Sequence, residues 1–390
     1  MRILHFIPVY APAWKFGGPV RSVSALCEGL AVRGHEVTVL TTDAGLESIP
    51  KLPRGEVVMR NGVKVLYYRQ VLGYGICSPT LVGAIAAAAK DFDLVHISAV
   101  WQRTGPAAAQ AALSAAIPYV VSPRGALGPY SWQHGRLKKL LYYFLRERHT
   151  LRHAAAFHYT TEMERDECAP FRFGRPGCVV PNPIDFSHWR RDEVAGAKCR
   201  QRYGVTHGEV FALYAGRVHH NKGLELLAEV MRLTHLRNVP CKLLLAGPEE
   251  DGTADVLRIR FAQHGLSDRV QFAATLSSDE LRAAYSAADV FLLPSLHDSF
   301  GNVAVEAAGC GCWVLASVFT GVARQIAALN AGECLPLEAE AWADAIARSR
   351  GRKVDAAIIS DVFSVDRTAQ VMERFYETVV SEAGRKQRHA

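Results

Sequence analysis

The sequence predicts an α/β protein made of two halves, each a parallel β-sheet flanked by helices. Short apolar runs alternate with amphipathic segments, a pattern typical of parallel strands joined by crossover helices. The alternation begins at Arg2 and starts again at Val210. The length of 390 residues also exceeds what one hydrophobic core usually organises. We therefore expect two Rossmann-like domains, residues 1–183 and 184–365, facing a central cleft in which ligands bind at the carboxyl ends of strands.

The elements follow the same order in both halves. In the first half the expected strands are Arg2–Val9, Glu36–Thr42, Val63–Tyr68, Leu94–Ile97 and Tyr119–Val121, and the first helix is Pro19–Arg33. In the second half the expected strands are Val210–Gly216, Cys241–Gly247, Val270–Phe272 and Val290–Leu293, and the first helix is Gly223–Leu236. The polar, proline-bearing stretch Asn182–Glu209 marks the boundary between the halves.

Composition and charge limit the kind of partner. The chain is 49% hydrophobic and 21% charged, as in ordinary globular proteins. A net charge of +7 suits an anionic ligand or a membrane surface, and is too small to indicate a nucleic acid partner. The nine cysteines form no paired framework, and the spacing of Cys310 and Cys312 matches no common zinc or redox motif. We expect neither a metal ion nor a bound cofactor.

The sequence also predicts where the protein works. The first ten residues, MRILHFIPVY, are expected to form a strand and not a signal peptide. The alanine-rich runs fall well short of the ~20 apolar residues that a membrane helix needs. A cytoplasmic protein is therefore predicted, either free in the cytosol or peripheral on the inner face of the cell membrane.

Two acidic residues, Asp298 and Glu306, frame the segment DSFGNVAVEAAG, which follows the strand near Val290. Gly301 and Asn302 suit a turn and a helix start, so free N–H groups at that helix end would form an anion site beside Asp298. Carboxylates beside a phosphate-sized cradle suit a sugar nucleotide, since they accept hydrogen bonds from its hydroxyls while the cradle donates to its phosphates. The alternative is a capped core helix with incidental acids.

Cationic residues occupy the first strand-to-helix connection of the second half. Arg217 and Lys222, in AGRVHHNKGLELL, could clamp a diphosphate, one as a bidentate fork and the other as a point charge. A solvated basic loop is the alternative. His219 and His220 lie between them with no carboxylate partner nearby in the sequence, so no metal is assigned to them.

A pair of glycines indicates a second phosphate-binding segment, in the first half of the chain. Gly17 and Gly18, in FGGPVRS, precede a helix and lack Cβ atoms, so their backbone can approach an anion closely. The segment is not the G-x-G-x-x-G dinucleotide fingerprint. A plain turn is the alternative.

Together these segments resemble the retaining glycosyltransferases of family 4. The resemblance also includes VVPNPID at residues 179–185 and LLLAGPEEDG at residues 243–252. It implies a GT-B fold with an acceptor domain (1–183), a nucleotide-sugar donor domain (184–365) and a terminal helix (366–390) that crosses back to the first domain. It further implies metal-independent transfer with retention, from a UDP- or GDP-linked sugar to a glycan or polyprenyl-linked acceptor, in polysaccharide biosynthesis.

The roles of individual residues follow from matching positions. The resemblance implies that Arg217 and Lys222 stabilise the leaving diphosphate electrostatically, and that Asp298 positions the transferred sugar. Here Asp298 replaces the first of two family glutamates. The donor contacts implied in the same way are Gly17, Gly18, Gly247, Phe300, Gly301, Asn302, Val303 and Glu306. No side chain is well placed as a nucleophile, so front-face attack guided by the leaving phosphate is expected.

The acceptor side departs from the family pattern. The stretch VSPRG places Arg124 where many members carry a histidine, in a version similar to that of a subgroup acting in surface-polysaccharide assembly. The candidates on the acceptor side are therefore Arg124, His96 and His134. The segment TGVARQI also places Arg324 where the family has an acid.

A basic amphipathic segment, Arg136–Arg152, indicates a further partner. Its sequence RLKKLLYYFLRERHTLR mixes basic and apolar residues as helices on anionic lipid do. The alternative is a core-packed helix with a solvated basic face. The segment favours a membrane-surface acceptor, such as a polyprenyl-diphosphate-linked sugar. Two other functions stay open: a GT-B nucleotide-sugar epimerase, and a non-catalytic scaffold that binds nucleotide sugar.

Overall fold

Each half of the chain forms its own sheet. The computed structural model describes residues 1–49, 52–71, 78–98, 100–133 and 135–388. The chain divides into two compact units, one made of Met1–Pro183 with Val365–Ala390 and the other of Ile184–Ser364. All strand pairs in the described residues are parallel except one, so the predicted α/β class with parallel sheets is confirmed.

The sheet of the first unit has eight strands among the described residues. In space they run in the order β3-β4-β2-β1-β5-β6-β7-β8, and only β3 is antiparallel to its neighbour. The strands are β1 (Arg2–Phe6), β2 (Glu36–Thr42), β3 (Val57–Arg60), β4 (Val63–Tyr68), β5 (Leu94–Ile97), β6 (Tyr119–Val121), β7 (Ala156–Tyr159) and β8 (Gly177–Val179). The central strands β5, β6 and β7 are buried along their whole length, which explains their short, mainly apolar sequences.

Helices flank this sheet. They are α1 (Gly18–Val32), α2 (Pro79–Ala88), α3 (Thr104–Ser114), α4 (Pro129–Gln133), α5 (Arg136–Tyr142), α6 (Arg148–His153) and α7 (Glu162–Glu167). A π-helical segment, Tyr143–Glu147, joins α5 to α6. None of the helices in the described ranges combines the length and apolar composition required to cross a membrane.

The second unit repeats the architecture with a six-stranded parallel sheet. Its strands lie in the order β11-β10-β9-β12-β13-β14. They are β9 (Val210–Ala215), β10 (Cys241–Ala246), β11 (Val270–Ala273), β12 (Val290–Leu293), β13 (Trp313–Ser317) and β14 (Gly332–Leu335). The helices are α8 (Glu193–Arg202), α9 (Leu226–Leu236), α10 (Thr253–Gln263), α11 (Ser278–Ala287), α12 (Asn302–Gly309), α13 (Ala323–Ala328), α14 (Ala339–Ser349) and α15 (Ala356–Phe363), and α16 (Val365–Arg388) follows them.

Helix α16 packs in the first unit, although it follows the second unit in sequence. Its Tyr376 is buried in the core of the first unit. Close contact with α1 requires Gly29, because a Cβ there would come within 2.8 Å of Val365 Cγ1. At the end of the contact, Arg33 Nη2 lies 2.6 Å from Glu373 Oε2. The first unit is therefore assembled from two separate stretches of chain.

The segment from α5 to α6 exposes its apolar face. Five large apolar side chains at helical spacing are between 43% and 81% exposed: Leu137, Leu140, Leu141, Phe144 and Leu145. Positions i, i+3, i+4, i+7 and i+8 form one stripe of a helix, and in a globular protein this stripe normally faces the core. The alternative of a core-packed helix therefore fails for the stripe Leu137–Leu145, whereas Leu151 at the end of the segment does lie in the core.

Glu147, at the end of the π-helical segment, is the opposite case. Its side chain is completely buried, and neither carboxylate oxygen has a hydrogen-bond partner among the described residues. Burial raises the pKa of Glu147 to about 8, against a smaller opposing effect of the Trp101 backbone N–H. The folded protein thus keeps a proton on this carboxyl that the unfolded chain releases near pH 4.5. Stability should therefore fall as the pH rises from about 4.5 to about 8.

We predict that Glu147→Gln stabilises the protein above pH 5, because the amide is a permanently neutral isostere of the protonated acid. The free energy of unfolding in urea should rise by ~1–3 kcal/mol at pH 8, because the variant need not take up a proton when it folds, and by less at pH 5. The exposed Glu56→Gln is the control and should change neither value. An equal pH dependence of stability in Glu147→Gln and wild type would show that this carboxyl does not titrate as described.

Candidate active site

The loops that follow the central strands of the second sheet meet at its carboxyl edge. Strands β9, β10 and β12 are neighbours, so the segments after Ala215, Ala246 and Leu293 emerge side by side. Gly247 permits the closest approach, since a Cβ there would lie 1.8 Å from the carbonyl oxygen of Gly216. Ligands of parallel α/β sheets bind at this edge.

The loop after β9 carries the predicted cations. The Tyr214 hydroxyl donates to the carbonyl oxygen of Arg217 (2.7 Å), which fixes the start of the loop. At its end Gly223 has a φ of 65°, and a Cβ there would come within 2.1 Å of the Pro294 carbonyl oxygen. Helix α9 therefore begins at Leu226, and the predicted start at Gly223 is wrong. The glycine instead holds the Lys222 loop against the end of β12.

Lys222 and Asp298 form the ion pair at the centre of this edge. Lys222 Nζ donates to Asp298 Oδ2 at 2.9 Å, and the two side chains are only 16% and 21% exposed. The Asp298 backbone is held on both sides, as its N–H donates to the Phe319 carbonyl and its own carbonyl accepts from Gly321. The sequence separates this acid and this lysine by 76 residues, and the fold brings them into contact.

Helix α12 begins directly after Asp298. Gly301 caps it with a φ of 96°, in the left-handed region that favours glycine. Asn302 and Val303, in the first turn, are half-buried. The positive end of the helix thus lies in the same loop as Asp298, as the sequence predicts.

Two predicted donor residues of this segment are largely buried. Phe300 is 4% exposed and packs edge-on against Phe363 in the core of the second unit. Glu306 is 8% exposed, and its Oε2 accepts from the Tyr285 hydroxyl at 3.4 Å. Burial, and then the charge of Glu306, raises the pKa of Tyr285 well above its usual range. Phe300 therefore supports the loop from beneath, while Glu306 retains a small accessible surface.

Arg217 makes a more exposed ion pair. Its Nη1 donates to Glu250 Oε2 at 3.0 Å, with side chains that are 53% and 38% exposed. A pair this exposed contributes little to stability. The guanidinium therefore stays available to a ligand at low energetic cost.

The histidines of the same loop do have a carboxylate neighbour, contrary to the expectation from the sequence. Asp251 Oδ2 lies 2.7 Å from His220 Nδ1 and 3.6 Å from His219 Nε2. In the part of the chain that the structure describes, His219, His220 and Asp251 could hold a metal ion, with ligand atoms within 4.8 Å of one another. Hydrogen bonds from the His220 backbone and from Thr253 lower the pKa of Asp251. These bonds by themselves account for the position of the carboxylate.

The predicted residues of the first unit are divided between a glycine turn and a buried cluster. Gly17 has a φ of 76° and caps α1, and its N–H donates to the Trp14 carbonyl. Gly18 is the first residue of α1. His96 is completely buried between His5 and His158, so it is not exposed to an acceptor. His134 lies outside the described residues.

Arg124 is half-buried at the carboxyl end of β6. Its Nη1 donates to Asn182 Oδ1 (3.0 Å) and Ser22 Oγ (3.2 Å), and its Nε to Ser98 Oγ (3.5 Å). Sequence reasoning selected Arg124 and missed these partners. The matched segments FGGPVRS and VVPNPID contain Ser22 and Asn182, so their convergence on one side chain was the available signal.

Two family profiles together match most of the chain. The profile described as "Glycosyl transferase 4-like domain" matches residues 17–183, and that described as "Glycosyl transferases group 1" matches residues 197–349. The second match contains the whole edge built from Arg217, Lys222 and Asp298.

Curated relatives resemble the chain over different lengths. A D-inositol 3-phosphate glycosyltransferase of Mycobacteroides abscessus is 32% identical over 40% of this chain, which spans about a third (35%) of that relative's length. A GDP-mannose:cellobiosyl-diphosphopolyprenol alpha-mannosyltransferase of Xanthomonas campestris is 26% identical over 80% of this chain and 77% of its own.

A solved structure shows the fold. The Anabaena protein HepE in complex with UDP superposes with a TM-score of 0.72 over 97% of this chain and 100% of its own, at 20% sequence identity. With this likeness and the two parallel sheets, the predicted GT-B fold class is confirmed.

Proposed function

Because this chain belongs to the group 1 glycosyl transferases, we propose that it moves a sugar, with retention, from a nucleoside-diphosphate sugar to a glycan or polyprenyl-linked acceptor. The observation that carries the proposal is the Lys222–Asp298 pair beside the positive end of α12. A cation, a helix N-terminus and a carboxylate are the groups that a sugar diphosphate requires.

The chemistry assigned to this edge is electrostatic. As the glycosidic bond to phosphate breaks, negative charge grows on the leaving diphosphate and positive charge on the sugar. Lys222, Arg217 and the first turn of α12 would stabilise the leaving group. Asp298 would accept hydrogen bonds from the sugar, and Glu306 from the nucleotide side of the donor. Since these groups supply the positive charge, we propose that transfer requires no metal ion.

Retention is assigned to front-face attack guided by the leaving phosphate. Asp298 is engaged by Lys222 at 2.9 Å and held by its backbone on both sides, which suits a positioning group better than a nucleophile. The acceptor hydroxyl would pass its proton to the departing phosphate oxygen, so no carboxylate needs to form a covalent intermediate.

We predict that Arg217→Ala and Lys222→Ala each weaken nucleoside diphosphate binding by ~2 kcal/mol, as expected for a lost charge-assisted contact. Isothermal titration calorimetry with UDP and with GDP measures this directly. Arg237→Ala is the matched control, since this arginine pairs with Glu340 at the far end of α9. Affinities within twofold of wild type in both site variants would remove the assignment of the donor site.

A second prediction separates the two acids. Glu306→Gln should mainly reduce nucleotide affinity, whereas Asp298→Asn should mainly lower turnover, because Asp298 lies on the turn assigned to the sugar. Asp298→Glu, which restores the family residue, should be tolerated. Turnover is measured as donor consumption with EDTA present. Metal independence would be overturned if chelation abolished activity, added Zn²⁺ restored it, and His220→Ala was inactive with or without Zn²⁺. Unchanged kinetics in both Asp298→Asn and Glu306→Gln would show that the two acids have only a structural role.

We further propose that the acceptor is reached at an anionic membrane surface. The apolar stripe Leu137–Leu145 is exposed, and the exposed bases Arg136, Lys138 and Arg146 adjoin it. A stripe of this kind buries apolar area in the lipid interface while the bases contact phosphate headgroups. The Xanthomonas relative, whose printed acceptor is a diphosphopolyprenol, makes a lipid-linked acceptor a reasonable choice.

A groove beside the stripe strengthens this assignment. Its volume is about 650 Å³, and it lies between α2, α3 and the π-helical segment. Arg103, Arg146 and His149 line it together with Gln110, Thr150 and apolar side chains, and none of the described residues that line it is acidic. The charge of the groove therefore matches a lipid phosphate. Lys139 is different, because its Nζ is bound to Ser131 and lies 5.8 Å from the Trp101 ring, so it does not face lipid.

We predict that the protein co-sediments with vesicles containing anionic phospholipid and detaches as salt rises, since charges are screened over ~10 Å at 0.1 M salt. Reversing Arg136, Lys138 and Arg146 to Glu should abolish sedimentation, at about 1 kcal/mol per base near the surface. UDP affinity should be unchanged. Reversing Lys64, Arg69 and Lys90, exposed on the same unit, makes the same change in net charge and should have little effect. Absence of vesicle binding by wild type at low salt would favour a water-soluble acceptor.

A further inference from the structure

Arg124 is held in one position by strained backbone and neutral acceptors. Its φ is 51° and that of Gly125 is 76°, both in the left-handed region. A non-glycine residue adopts this conformation only where its surroundings impose it. The Gly125 N–H donates to Glu164, which is completely buried and also accepts from the Thr160 N–H and hydroxyl. The guanidinium is thus fixed before any ligand arrives.

No carboxylate in the described residues forms an ion pair with this guanidinium. Its hydrogen bonds go to two serine hydroxyls and one amide oxygen. Glu164, the acid whose charge it feels most, is beyond ion-pair distance and is saturated by Thr160 and Gly125. Burial raises the pKa of Glu164, which lessens its value as a counter-charge.

The aromatic neighbours of Arg124 are uncharged as well. Burial, and then the charge of Arg124, lowers the pKa of His5, and the same two causes lower that of His158 to about 3. Burial and the neighbouring histidines lower the pKa of His96. All three imidazoles are therefore neutral at pH 7. A half-buried cation among neutral groups is costly unless an anion joins it.

Polar atoms at this place are left without partners. Arg124 Nη2 makes no hydrogen bond among the described residues, and neither do the completely buried His96 Nε2 and Ser122 Oγ. Ser22, which Arg124 contacts, lies one turn inside the 15-residue helix α1, whose positive end favours an anion nearby. The site therefore has hydrogen-bonding groups without partners and a positive potential that no anion in the described part of the protein balances.

We propose that Arg124 binds a phosphate group of a substrate. A fixed guanidinium with a free terminal N–H₂ suits the tetrahedral oxyanion, which accepts two parallel hydrogen bonds. On the proposed function, the phosphate belongs either to the acceptor, which would then be a phosphate-bearing molecule, or to the sugar nucleotide. Binding of phosphate at Arg124 does not itself depend on the proposed function.

The first test uses geranyl diphosphate as a soluble phosphate-bearing probe and geraniol as its uncharged control. By calorimetry, Arg124→Gln should bind geranyl diphosphate about tenfold more weakly than wild type or more, as expected for the loss of a charge-assisted pair. The exposed Arg69→Gln should bind it as wild type does. Equal affinities of a folded Arg124→Gln and of wild type for geranyl diphosphate, UDP and GDP alike would overturn the proposal.

The second test needs no variant and covers the case in which Arg124→Gln does not fold. Phenylglyoxal modifies accessible guanidinium groups, and peptide mass spectrometry follows the rate at Arg124 in wild type. Geranyl diphosphate should slow this rate severalfold and geraniol should not. An unchanged rate at saturating geranyl diphosphate, UDP and GDP alike would overturn the proposal.

The Arg217→Ala/Lys222→Ala double variant distinguishes an acceptor phosphate from a donor phosphate. If geranyl diphosphate still protects Arg124 in this variant, the site belongs to the acceptor. Protection that only UDP or GDP gives, and that the double variant loses, assigns it to the donor. If Arg217→Ala and Lys222→Ala bind UDP and GDP as wild type does while Arg124 is still protected, the proposed function is contradicted and the phosphate site at Arg124 is supported.

Discussion

The candidate donor site depends on how closely backbone segments approach at the carboxyl edge of the second sheet. A Cβ on Gly247 would lie 1.8 Å from the Gly216 carbonyl oxygen, and one on Gly223 would lie 2.1 Å from that of Pro294. No side chain fits such gaps, so the absence of Cβ atoms permits the loops after β9, β10 and β12 to pack together. The Lys222–Asp298 contact follows from that packing, because the two residues lie on loops that can pack closely only with glycine at these positions.

The candidate ligand-binding cations of the two units differ in the partners that the fold gives them. In the second unit, Arg217 and Lys222 each already face a carboxylate, so a diphosphate bound there as proposed would compete with Glu250 and Asp298 for them. In the first unit, Arg124 has only neutral acceptors. A ligand at Arg217 and Lys222 would replace existing ion pairs, so its binding free energy would come mainly from better geometry. A ligand at Arg124 would supply a counter-charge that the fold lacks.

Sequence reasoning was most accurate where burial on both faces of a strand leaves a continuous apolar run. Strands at 36–42, 63–68, 94–97, 119–121 and 290–293 were predicted to the residue. It missed five strands of three to five residues each, which are too short to show a clear period: β3 (Val57–Arg60), β7 (Ala156–Tyr159), β8 (Gly177–Val179), β13 (Trp313–Ser317) and β14 (Gly332–Leu335). Within the site, spacing located Arg217, Lys222 and Asp298, but could not predict which residue pairs with which. Asp251 and His220 are 31 residues apart in sequence, and the register of β9 and β10 brings them together. The local sequence pattern does not determine that register.

The return of α16 to the first unit has a consequence for synthesis of the protein. The second unit is one uninterrupted stretch, Ile184–Ser364, whereas the core of the first includes Tyr376, made after that stretch. On the ribosome, residues 1–183 therefore emerge first but cannot close their core until the later unit has been synthesised. During that interval the surface of α1 around Gly29 is uncovered. Translation order and folding order are thus inverted, and the unit made first is completed last.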